Sequence, residues 1–148
     1  MSVTDEQLTK LLQYCGDFAR LMIEDSGEFY PFGAEIDSTG ELRALGFADG
    51  TERPSPQELY EYAQKVLSTK AKSGEIVAGA VAVNVNIPPQ FESPFPDGIR
   101  VHVESNNFSR FIYQPYAIRK SGFFGRKRAV DYADMIGVDI GPVMFTDA

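Results

Sequence analysis

The stretch IVAGAVAVNVNI (76–87), followed after a proline-rich connection by IRVHVES (99–105), decides the fold. Its first run sets β-branched residues against alanine and asparagine at the period of two that a strand imposes. The second alternates as cleanly, with Ile99, Val101 and Val103 against Arg100, His102 and Glu104. A slip of one residue in their pairing sends every side chain to the opposite face, so the pattern must be used to choose a register. Placing Val81, Val83 and Val85 on a core face with Ile99, Val101 and Val103 leaves Ala78, Ala80, Ala82, Asn84 and Asn86 beside Arg100, His102 and Glu104. Asn106-Asn107 supplies a two-residue turn into a third run at 109–119, which sets Phe111 beside His102 and Tyr113 beside Arg100. Pro115 within that run points to an edge position or a bulge. The expectation is a polar and aromatic surface over an alanine bed, with Asn84, Asn86, Arg100, His102, Glu104, Phe111 and Tyr113 as candidate binding residues. The swapped arrangement, with helices on the alanine side where small residues permit close approach, is the alternative.

Upstream, Thr4 and Gln7 have capping-box spacing, and Leu8, Leu11, Leu12, Cys15, Phe18, Ala19 and Met22 recur at helical period until Ser26-Gly27. A helix over about 4–25 follows from this. Residues 29–37 and 42–47 read as a hairpin turning at Ser38-Thr39-Gly40, and a loop with Asp49, Gly50, Thr51 and Arg53 leads to the next element. Ser55-Pro56-Gln57-Glu58 combines an N-cap serine, a first-turn proline and a glutamate at the third position, opening a second helix that stops at Ser73-Gly74. The predicted fold class is α+β in one domain over 1–148. Its element order is α-β-β-α-β-β-β, an antiparallel sheet of about five strands with both helices on one face. Residues beyond 119 carry mixed signals and are expected to form a loop with short elements.

Composition narrows the function classes. The chain has 148 residues, with 14 Lys plus Arg against 21 Asp plus Glu, for a net charge of -7 that disfavours broad nucleic-acid binding. Residues 100–128 run the other way, with 7 basic groups against Glu104 alone. Cys15 is the single cysteine and lies on the helical apolar stripe, which fits a buried thiol in a reducing compartment. The opening MSVTDEQLTK lacks the basic and apolar regions of a secretory signal, and no window approaches the roughly 18 apolar residues of a membrane span. A soluble, cytoplasmic, acidic protein is expected.

Motifs for chemistry are sparse. His102 is the sole histidine, so multi-histidine metal sites and His-dependent triads formed with other histidines are excluded; with Glu104 it could form an acid/base dyad beside Arg100, or a salt-bridge ladder. Asp37-Ser38-Thr39-Gly40-Glu41 lacks the ligand periodicity of a calcium loop and reads as a turn. No phosphate-binding glycine loop is present, and neither metal nor cofactor is expected. Phe123 and Phe124, flanked by Arg126, Lys127 and Arg128, form a second candidate surface together with Phe91 and Phe95 of the proline-rich connection; alternatively the basic groups answer the acidic first half of the chain. The small acidic α+β pattern resembles, at the level of fold alone, bacterial toxin-neutralising and other small interaction proteins. These observations favour a non-enzymatic protein-binding domain of toxin-neutralising or adaptor type. Its partner is expected to be another protein or a second copy in a homodimer. The competing expectation is a small-ligand binder or enzyme around Arg100, His102, Glu104 and Tyr113.

Overall fold

The computed structural model describes residues 3–46, 54–120 and 127–146. Helix α1 (Asp5–Ser26) starts as its sequence dictates: Gln7 N–H donates to Thr4 Oγ1 at 3.1 Å, and Thr4 N–H donates back to Gln7 Oε1 at 2.9 Å. It ends at Gly27, whose φ of +81° is a left-handed conformation that a side chain would strain. Helix α2 (Pro56–Ser73) is capped by Ser55, which accepts from Glu58 N–H, and closes at Gly74 in the same left-handed way.

Between and after them run β1 (Phe32–Asp37), β2 (Leu42–Leu45), β3 (Ile76–Asn86), β4 (Asp97–Ser105), β5 (Phe108–Lys120), β6 (Ala129–Tyr132) and β7 (Ile136–Asp139). All pairs are antiparallel, in the order β2-β1-β3-β4-β5-β6, and β7 also pairs with β5. The α+β class and the antiparallel sheet agree with the sequence, but among the described residues there are seven strands where about five were expected. The two further strands are the short elements of the segment expected to form a loop with short elements, and they behave as one interrupted strand. Tyr132 pairs with Tyr116 and Ile136 with Tyr113, so the outer strand spends one more residue than β5 does across the gap. Pro115 stands opposite that gap. Its carbonyl accepts from Ala133 N–H at 3.0 Å, but proline has no N–H to return, and the Gln114 side-chain amide donates to the Ala133 carbonyl instead. The bulge expected at Pro115 is thus on the strand facing it.

The helices lie on opposite faces of the sheet, which corrects the expectation of one shared face. Leu11, Cys15, Ala19 and Ile23 of α1 pack in one core with Ala78, Ala80, Ala82, Ile99, Val101 and Val103. Ala63 and Leu67 of α2 pack in a second core with Val81, Val83 and Met144. The facing assignment is corrected with it: Val81 pairs with His102 and Ala80 with Val103, so the valines share a face with Arg100, His102 and Glu104. Asn84 and Asn86 belong to the α1 side. Alanine lets α1 approach closely on that side, while the larger valines meet α2 on the other.

Candidate functional site

Of the seven candidate binding residues, the α2 face collects five: Arg100, His102, Glu104, Phe111 and Tyr113. The two-residue turn at Asn106-Asn107, with Asn107 at φ +70°, sets the expected pairs His102 to Phe111 and Arg100 to Tyr113. Only part of this group is accessible, because the chain after β7 crosses back over the sheet.

Glu104 organises that crossing. Its side chain is fully buried, and its carboxylate accepts from His102 Nε2 (2.9 Å), Ser109 Oγ (3.0 Å) and the successive backbone N–H groups of Val143 (2.9 Å), Met144 (2.7 Å) and Phe145 (2.6 Å). Burial pushes its pKa up, but the bond from His102 and the three backbone donors outweigh that and hold the carboxyl below its ordinary value. The strap so held drives Met144 between the sheet and α2. There Gly79 makes room: a Cβ at that position would stand 3.1 Å from Met144 Sδ and 3.3 Å from Leu67 Cδ2. His102 is likewise completely buried, with its ring edge-on to Phe111 at 5.3 Å and its Nδ1 unpartnered. A general acid or base must reach a substrate proton, and this dyad is roofed by the strap and engaged with it. The ionisable pair singled out in the sequence thus fastens the fold.

Arg100 differs. Its guanidinium lies over the rings of Phe111 (4.2 Å to the centroid) and Tyr60 of α2 (5.1 Å), the geometry of cation–π contact. It donates no hydrogen bond to any described residue, its Nε is buried without an acceptor, and no described carboxylate lies within ion-pair distance. Several other cations of this acidic chain are paired; buried Glu35, for example, takes both Lys70 (2.9 Å) and Arg43 (2.8 Å). Burial also pushes the Tyr60 phenol up, with the Arg100 charge opposing. Arg100 and Tyr60 line a cleft of about 850 Å³ together with Tyr30, Val83, Asn84 and Val85, bounded by the end of α1 and the start of α2. The Tyr30 ring at its rim is 67% exposed, unusual for an aromatic side chain.

The remaining candidates scatter. Asn84 reaches this cleft, and its Oδ1 accepts from Tyr116 on the α1 side, while Asn86 is exposed at the strand end. Phe91 folds over the α2 face onto Tyr113 at 5.5 Å, and Phe95 is half-buried in the same connection. Phe123, Phe124 and Arg126 lie outside the described residues, as do Asp49, Gly50, Thr51 and Arg53. Lys127 and Arg128 answer the acidic half of the chain. Arg128 Nη1 donates to the Asp25 carbonyl at 2.8 Å and Lys127 stands 3.9 Å from the Asp25 carboxylate, which supplies the cations that the last turn of α1 lacks. The Asp37 to Glu41 segment is a turn, with Asp37 Oδ1 accepting from the N–H groups of Thr39 and Glu41. No described group of His, Cys, Asp or Glu is arranged to hold a metal, and no described helix is long and apolar enough to cross a membrane.

Sequence reasoning missed Tyr60, Tyr30, Val83 and Val85. Tyr60 was detectable only by its place one residue after Leu59 on the α2 stripe; the others needed the knowledge that β1 stops short of the end of β3. Neither the family models nor the curated proteins nor the solved structures contain a match to this chain.

Proposed function

We propose that this protein is a non-catalytic binding domain that takes an anionic segment of a protein partner at Arg100. The observation that carries the reading is a half-buried guanidinium with no described carboxylate partner, at the wall of a large cleft in a chain that is otherwise strongly acidic. Holding a cation out of water without a counter-charge costs stability, and a ligand carboxylate or phosphate relieves that cost on binding. The two aromatic faces fix the guanidinium in place, so little side-chain entropy remains to be lost when a ligand arrives. Catalysis is disfavoured by the burial of His102 and Glu104, the pair best suited to proton transfer.

The test uses a capped pentapeptide, acetyl-Thr-Val-Glu-Val-Thr-amide, titrated into the protein while backbone resonances of Val83, Asn84 and Val85 are followed by NMR. Saturable shifts are expected at these amides. Replacing the peptide's Glu by Gln, or Arg100 by Met in the protein, should each weaken binding about tenfold, the size of one charge-assisted contact. Equal binding of the Glu and Gln peptides would remove the basis of the proposal. Self-association is a further proposal of the same kind. The exposed aromatic rim of one copy could meet the cleft of another, in which case sedimentation should show a dimer that Arg100→Met weakens.

A further inference from the structure

We infer that the cleft binds its partner as an added β-strand, hydrogen-bonded to the edge of β3 that β1 leaves open, with the partner's acidic side chain directed over Val83 and Val85 to Arg100. The inference rests on the binding function proposed above and specifies the form of the ligand. Strand β3 runs to Asn86, but its pairing with β1 begins only at Phe32 opposite Ala82. Pro31, the next residue of the β1 side, takes the chain off the sheet, and no backbone bond joins residues 28–31 to β3.

The alternation of antiparallel bonding then settles which groups are exposed. In a strand, the N–H and C=O of one residue point to one neighbour and those of the next residue to the other. Ile87 N–H donates to the Pro96 carbonyl at 2.7 Å, on the β4 side, so Val85 and Val83 also bond toward β4. Asn84 and Asn86 therefore direct their backbone N–H and C=O at the open edge. The parity is checked at the other end of the sheet: Asp37 N–H donates to the Glu41 carbonyl on the β2 side, so Phe32, Ala34 and Ile36 turn theirs toward Ala82, Ala80 and Ala78. Among the described residues, a short ladder continuing the β1 position is thus left unmade, inside a cleft of about 850 Å³.

Side-chain alternation gives the ligand its pattern. A residue opposite Asn84 or Asn86 presents its side chain to the α1 side, where Met22 and Phe29 line the cleft. The residue between them presents its side chain to the α2 side, beside Val85, Tyr60 and Arg100. Apolar-acidic-apolar is the complementary sequence. Glu28 also lines the cleft, near the end of α1, and it disfavours acidic residues on the α1 side. Extended ligands that add to a sheet edge draw affinity from main-chain bonds and specificity from alternate side chains, which is the division found in this cleft.

Two backbone-methylated forms of the same pentapeptide provide the test. Methylating the amide nitrogens of both valines removes the N–H groups that would meet Asn84 and Asn86, and should weaken binding to the wild-type protein by about tenfold or more. Methylating the Glu nitrogen, which faces away from β3, should leave affinity within about twofold of the parent. If the two methylated peptides bind alike, while the preference for Glu over Gln and the dependence on Arg100 persist, strand addition is overturned and the binding site at Arg100 stands. If the unmethylated peptide produces no saturable shift at Val83, Asn84 and Val85 even at millimolar concentration, both conclusions fall.

Discussion

At Glu104 a single side chain joins strands β4 and β5 to a strap nearly forty residues further on. Its carboxylate is surrounded by donors, so Glu104→Gln turns an amide N–H toward some of them and should cost about 3 kcal/mol in urea denaturation. The pH dependence has a definite sign. Since the folded carboxyl titrates below its ordinary value, its contribution is complete above the unfolded value of about 4.3 and is lost as pH falls through the depressed folded value. Acid titration of the wild type should therefore lose stability more steeply than that of Glu104→Gln, and parallel curves would contradict the assignment. Cys15 offers a second check. Burial pushes its thiol up to about 12, so a disulfide reagent at pH 8 should leave the native protein unmodified and react fully in urea. Rapid modification of the native protein would mean that α1 does not pack as described. The burial of Cys15 was legible in the sequence from its place on an apolar stripe. The burial of His102 and Glu104 was not, since polar residues alternating along a strand look solvent-facing until a distant segment is known to supply their partners.

Among the elements, the helices were readable because their ends are chemically marked: Thr4, Gln7 and Gly27 bound α1, and Ser55, Pro56 and Gly74 bound α2. Ser55→Ala should accordingly lower stability by about 1 kcal/mol, measured by thermal or urea unfolding, with helix content otherwise intact. Strands β1 to β5 were found, but the parity of β3 against β4 was not. Alternation reveals orientation only when one face is polar, and β3 is apolar on both sides, alanine on one and valine on the other. Strands β6 and β7 escaped because each has four residues and the break between them is dictated by Pro115 on a different strand. The strap after β7 makes its own prediction. Gly79→Ala places a methyl 3.1 Å from Met144 Sδ, and flexible methionine must shift. A cost of about 1–2 kcal/mol is expected, with faster amide exchange at Val143, Met144 and Phe145 than elsewhere. Exchange unchanged at those amides would show that Met144 is not wedged by Gly79.

For the whole molecule, the decisive fact is that two separate cores share one strand. Strand β3 contributes Ala78, Ala80 and Ala82 to the α1 core, and Val81 and Val83 to the α2 core. Neither core can be lost while the other stays complete, so unfolding should be a single transition. Leu11→Ala and Leu67→Ala, one in each core, should each destabilise by about 3 kcal/mol and combine nearly additively, with far-ultraviolet and tyrosine near-ultraviolet circular dichroism giving one midpoint. Separate midpoints would mean two independently folding layers. The cleft was illegible at every smaller scale because it arises where α1 and β3 end beside the start of α2, a property of relative lengths. The Glu104 anchor has a further consequence for biosynthesis. Its three backbone donors lie 39 to 41 residues downstream of the carboxylate they satisfy. A ribosome making this chain therefore releases both helices and strands β1 to β4 well before the segment that seals them, and every nascent molecule passes through an interval in which Glu104 lacks its backbone donors. Chaperone engagement and co-translational proteolysis should be most sensitive to the sequence within that interval, and slow codons between Ser109 and Val143 should lengthen it.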